Sequence, residues 1–156
     1  MDPNGATLPR FAPGHSGGAR SRAIGVLGIV LLVVVLAFRS LRRVVVAGDS
    51  MAPTLLDGDR LLALARPWGI PARPAVGDIV AVTDPRRPDR VLVKRVASVE
   101  WPDGTIVVLG DSPDASTDSR HFGAVPIGTV IGRVVHRYGP PGRSGPVDRT
   151  TEYHRA

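Results

Sequence analysis

Apolar and polar positions divide the chain into three stretches. Residues 1–22 are rich in Gly, Pro, Ser and Arg and poor in apolar side chains, which predicts a disordered tail. Ala23 to Phe38 is a run of sixteen uncharged, mostly aliphatic residues between Arg22 and Arg39. As a helix this run is about 24 Å long, slightly short of a bilayer core. Arg22 and Arg39 can snorkel to the headgroups, and Ser40 and Leu41 add length. The pattern predicts a transmembrane anchor over residues 23–41. Two alternatives stand beside it. The length also suits the apolar region of a cleaved secretory signal, but no Ala-x-Ala-like site follows. A buried core helix that is apolar all round needs a larger protein around it. Arg10, Arg20 and Arg22 precede the run and Arg39, Arg42 and Arg43 follow it, so charge barely specifies orientation.

Beyond residue 43 the pattern changes to short β-type runs: Val44–Ala47, Arg60–Ala65, Asp78–Thr83, Val91–Val99, Thr105–Leu109 and Thr129–His136. Turn residues separate them, and Pro102-Asp-Gly104 between the fourth and fifth predicts a hairpin. No helical pattern of useful length lies between strands. The expectation is a mainly β fold: a single N-terminal transmembrane helix, then an antiparallel β domain over residues 44–139. From Pro140 the composition returns to Gly, Pro, Arg and Ser, predicting a second tail over residues 140–156.

Composition narrows the chemistry. The 156 residues suit about one domain. With no Cys, a disulfide framework, thiolate zinc site, iron–sulfur cluster or cysteine nucleophile is excluded. Aromatics at 4% argue against a stacking platform for single-stranded nucleic acid. The net charge of +6 comes from arginines dispersed along the chain rather than from a basic run. No helix-turn-helix or zinc-finger pattern accompanies them, so the expectation is no nucleic-acid partner and some attraction to membrane lipid. Lys94 is the only lysine.

Gly-Asp-Ser occurs twice after an apolar run, as Gly48-Asp49-Ser50 and Gly110-Asp111-Ser112. Either copy alone reads as a strand-end turn. The first continues Ser50-Met51-Ala52-Pro53-Thr54-Leu55, which resembles the S-M-x-P-T-L box of the type I signal peptidases, membrane-anchored serine–lysine proteases. Four further features resemble that family in its order. They are Gly77-Asp78-Ile79-Val80, Lys94-Arg95-Val96, the run from Gly110 through Ser116, Asp118, Ser119 and Arg120 to Pro126, and Gly128 to Val134.

The residue types also make chemical sense on their own. A serine hydroxyl needs a base to take its proton. His15, His121, His136 and His154 show no Asp-oriented pairing with a serine, although His121 could neighbour the site. On a strand, Leu92, Lys94 and Val96 point the same way, so Lys94 emerges between apolar side chains that would desolvate it. The bland reading of Lys94 is a surface lysine on an edge strand.

The resemblance implies Ser50 as nucleophile and Lys94 as general base, with Ser116 orienting the lysine and Asp118 and Arg120 forming a supporting ion pair. The Ser50 N–H would hold the oxyanion. Some relatives add a hydroxyl where this chain has Gly48, so the second donor would be backbone or absent. Met51 would lie near the membrane surface or line the substrate groove. No cofactor and no metal are implied. Precursor proteins bearing a signal peptide or propeptide would be the partners. The N-terminus would be cytoplasmic and the catalytic domain extracytoplasmic, on a single-pass protein of the cell membrane.

Two departures bear on substrate choice. A single short hairpin separates the lysine box from Gly110, where many relatives carry a long insertion, and Ser112 and Ala115 stand where Asn is frequent. The compact layout also resembles the nickel-type superoxide dismutase maturation proteases, a branch with one client. Three readings compete with a general signal peptidase. They are such a dedicated maturase, a self-cleaving protein like the SOS-response repressors, and a non-catalytic membrane-tethered β binding domain.

Overall fold

The computed structural model describes residues 28–35, 40–65 and 73–147. The tail expected over residues 1–22, residues 148–156 of the tail expected over 140–156, and residues 23–27 and 36–39 of the expected anchor lie outside them. Residues 28–35 are helical (α1) with every side chain exposed. No helix among the described residues is long and apolar enough to cross a membrane. Ser40 is buried and accepts a hydrogen bond from the Ala65 N–H, and Leu41 opens a strand. These last two residues of the expected anchor therefore belong to the β domain.

The β domain contains β1 (Leu41–Val45), β2 (Arg60–Leu64), β3 (Ile79–Asp84), β4 (Arg87–Glu100), β5 (Thr105–Leu109), β6 (Val125–Pro126), β7 (Val130–Gly139) and β8 (Gly145–Pro146). A one-turn helix, α2 (Ser119–Phe122), and a 3-10 turn, Ile127–Thr129, lie between β5 and β7. The strands form one sheet in the order β1-β2-β7-β3-β4-β5-β6, with β8 on β7. Every pairing is antiparallel, as the turn-rich pattern predicts. The β4–β5 hairpin forms at Trp101–Gly104, with Glu100 opposite Thr105.

Three departures from expectation share a cause. Strand β1 begins three residues before Val44, taking in Leu41, Arg42 and Arg43. Strand β4 extends back through the exposed Arg87-Pro-Asp-Arg90. The domain also runs past residue 139, because β8 pairs with β7 and Val147 packs on the core. Polar residues in these segments hide the pairing from a hydrophobicity pattern. At a sheet edge, backbone hydrogen bonds suffice and side chains can face water.

Two apolar clusters flank the sheet. One gathers Val46, Met51, Leu55, Leu61, Ala63, Ile79, Val93 and Val134. The other gathers Val80, Val82, Leu92, Val96, Ile106, Val108, Val125 and Ile127. Strand β3 serves both, because alternate side chains point to opposite faces and it lies between β7 and β4.

Burial of Met51 and Leu55 in the first cluster pulls the loop after β1 down onto the sheet. Charged groups tie the same loop from below. The buried Asp59 accepts the Leu56 N–H through Oδ2, and Arg137 and Arg143 pair with that oxygen at 3.2 Å each. Arg137 also donates to the Thr54 carbonyl. The residue after Gly48-Asp49 therefore has a fixed backbone.

Ile106 is fully buried. Ile106→Ala should lower the unfolding free energy by about 2–5 kcal/mol in denaturant titration, from lost burial plus a residual cavity. Val45→Ala, at an exposed edge position, should change it by less than about 0.5 kcal/mol.

Candidate active site

Ser50 sits in a turn one short step beyond β1. Gly48 has φ +85°, a conformation that costs glycine little, and its N–H donates to Asp57 Oδ1 at 2.7 Å. The Ser50 carbonyl accepts the Ser112 N–H at 3.1 Å. The two Gly-Asp-Ser triplets thus touch. Gly110 explains how: a Cβ there would lie 2.4 Å from the Ser50 carbonyl oxygen and 2.2 Å from Ser116 Oγ. Only glycine permits this approach of the two loops.

Lys94 is 2% exposed, on β4 opposite Val80 of β3. Its flanking partners on that face, Leu92 and Val96, are buried in the second cluster. Lys94 Nζ donates to Ser116 Oγ at 3.0 Å. The Ser116 hydroxyl donates to Asp118 Oδ2 at 2.6 Å. Asp118 also accepts the Gly110 N–H at 2.8 Å, and Arg120 donates to both carboxylate oxygens.

These contacts set the charges. Burial pushes the Lys94 ammonium below its ordinary pKa of 10.5, and the attraction of Asp118 only partly offsets this. Burial works against ionisation of Asp118 as well. There the hydrogen bonds from Arg120, Gly110 and Ser116 prevail and hold the carboxyl well below its usual range. The Ser116 hydroxyl between the two keeps the carboxylate one hydrogen bond away from the amine, whose charged form it would otherwise stabilise more strongly.

The neighbouring Arg95 points the other way along β4. It grips Asp111 with two hydrogen bonds, Nε to Oδ1 at 2.8 Å and Nη2 to Oδ2 at 2.7 Å. A third reaches the Gly77 carbonyl at 3.0 Å. Both side chains are almost wholly buried. This fork fixes the second triplet to the strand that bears Lys94.

Ser50 and Lys94 line one cavity of about 210 Å³. Its walls are the segment from Val45 to Met51, the segment from Arg90 to Lys94, and Ala115 and Thr117. Gly48 lies on the wall without a side chain to offer the second oxyanion hydroxyl, and its N–H is already engaged by Asp57. Met51 is fully buried in the core as well as bordering the cavity. Arg120 and Asp118 pair at 2.6 Å. His121 does not border the cavity. Its Nδ1 accepts the Asp118 N–H in a capping box on α2, so the neighbouring role weighed for it becomes a structural one. No cluster of His, Asp and Glu able to hold a metal ion occurs among the described residues.

Gly110, Asp111 and Arg95 occur in the quoted motifs but received no role from the pattern. The repeated triplet was the available signal, since a second loop of the same composition could meet the first. Nothing in one dimension shows that it does.

An antiparallel β domain that brings a serine and a buried lysine to one cavity has the layout of the serine–lysine peptidases. The chain belongs to the signal peptidase, peptidase S26 family, whose model matches residues 20–101 and 97–139. It is 37% identical over 119 residues to mitochondrial ATP-independent inner membrane protease subunit 1a of Arabidopsis thaliana, covering 62% of this chain and 69% of that protein. It is 32% identical over 147 residues to mitochondrial inner membrane protease subunit 2 of Schizosaccharomyces pombe, covering 78% and 79%. It is 30% identical over 150 residues to mitochondrial inner membrane protease subunit 1 of Xenopus tropicalis, covering 81% and 88%.

Arg95→Ala leaves a buried carboxylate without its partner and should cost about 3–5 kcal/mol in denaturant unfolding. Acid should also weaken the fold. Asp118 is depressed from 3.8, so its contribution is complete above about pH 4 and is lost as pH falls from there. The acid limb of unfolding free energy against pH should be shallower in Asp118→Asn.

Proposed function

We propose that the chain is a membrane-bound serine endopeptidase in which Ser50 is the nucleophile and Lys94 the general base. The observation that carries this reading is the buried Lys94 amine, oriented by Ser116 and sharing a cavity with Ser50. In the neutral amine, an N–H donates to Ser116 Oγ and the lone pair remains for the Ser50 proton. The base takes that proton as Ser50 Oγ attacks the scissile carbonyl carbon. The Ser50 N–H donates to the developing oxyanion. The Lys94 ammonium then gives its proton to the leaving amine as the C–N bond breaks. Lys94 next deprotonates a water that attacks the acyl-Ser50 ester, releasing the new carboxyl end and restoring the serine.

Substrates are precursor proteins processed at a membrane. The apolar run over residues 23–38 and the relatives' names as inner membrane proteases support membrane attachment. The run is read as one span, with the N-terminus cytoplasmic and the β domain outside. The turn of only four residues between β4 and β5 favours a narrow client range, down to a single propeptide. Comparing protein N-termini in cells with and without this gene tests that range. Many altered termini mean a general signal peptidase, and one altered terminus means a dedicated maturase.

Ser50→Ala and Lys94→Ala should each reduce precursor cleavage more than about 10³-fold, with the fold retained. Full activity in Lys94→Ala would overturn the dyad. The base must be neutral to act, so kcat/KM should rise with pH along a limb centred below 10.5, the ordinary lysine value. Ser116→Ala should lower kcat and displace that limb.

A further inference from the structure

Strand β4 is not regular at the cavity mouth. Residues Val91 to Arg95 pair one for one with β3, but Asp84 then pairs with Arg87 instead of Arg90. Residues 88–90 therefore bulge from the ladder, where Pro88 has no N–H to contribute. A bulge of this kind re-aims a side chain, and Arg90 lines the cavity.

The charged residues of the cavity wall are Asp49, Arg90 and Lys94. Asp49 adjoins Ser50, and Lys94 is committed to Ser116. Nearby Asp84 is taken by Arg86, and Asp89 is not on the wall. Arg90 is thus the wall cation with no ion pair or hydrogen bond among the described residues. Arg90 lies four positions before Lys94 along β4, at the other end of that wall segment, and its charge opposes protonation of the amine. An extended peptide advances at the same rise per residue as the strand that flanks it.

We infer that Arg90 is a specificity-determining residue, selecting precursors with an acidic side chain about three or four residues from the scissile bond. The inference rests on the protease reading above and names a substrate class for the same site. Neutral peptides lose the attraction, and basic ones are repelled. The discrimination is modest because Arg90 is exposed, and salt weakens it.

The test uses the full-length chain and synthetic peptides spanning a cleavable sequence. Glu, Gln or Lys is placed in turn three and four residues to either side of the scissile bond. At one of these positions Glu should be cleaved about two- to fivefold faster than Gln in kcat/KM at low salt, the ratio shrinking at high salt. Arg90→Gln should abolish the preference, and Arg90→Glu should turn it towards Lys, each ratio being taken within one variant so that a change in the basicity of Lys94 cancels. Equal rates for Glu and Gln at all four positions, or a preference that survives in Arg90→Glu, overturns the inference while the protease reading stands. Cleavage of no peptide overturns both.

Discussion

A lysine amine held out of water beside a hydroxyl, with a carboxylate one bond further on, is the constraint on which the rest depends. A carboxylate in direct contact would keep the amine charged, and an amine left in solvent would keep its ordinary pKa. Lys94 avoids both because Ser116 intervenes and because Leu92 and Val96 flank it within an apolar cluster. Asp118 stays ionised at this depth because Arg120, Gly110 and Ser116 all donate to it. Replacing any link changes the balance between desolvation and charge that sets the basicity of Lys94.

Holding that chain against the serine loop is a task shared by two kinds of force. Apolar burial brings Met51 and Leu55 onto the sheet, which places the loop but not its orientation. Directional bonds supply the rest: Arg137 to the Thr54 carbonyl, Asp59 to the Leu56 N–H, and the Ser112 N–H to the Ser50 carbonyl. The buried Arg95–Asp111 fork fixes the loop bearing Ser112 to the strand bearing Lys94. The serine loop and the lysine strand are therefore referenced to one rigid piece, and Gly110 is the point where no side chain can stand.

Most of the sheet was legible in the chain. Strands β2, β3, β5 and β7 fall within a few residues of their apolar runs, since burial on one or both faces writes itself into alternation or continuous apolarity. The misses are β6, β8 and the polar ends of β1 and β4. Those segments are held by backbone pairing at edges, which leaves no hydrophobic signature. Pro140 to Val147 reads as a tail by composition and is nonetheless tied to β7.

The site divides in the same way. Sequence alone determined the chemical inventory: no thiol, one lysine, a serine box, and a loop with Ser116, Asp118 and Arg120 at close spacing, because residue types and short spacings are local properties. It also determined that Lys94 shares a face with two apolar neighbours, because strand alternation is local too. Only the tertiary structure decided that two loops about sixty residues apart in the chain touch at Gly110. It alone decided that Arg95 closes on Asp111, and that Arg90, beside a break in the β3–β4 register, lines the cavity. Those outcomes depend on sheet order and register, and these emerge from how the whole set of strands buries its two apolar clusters.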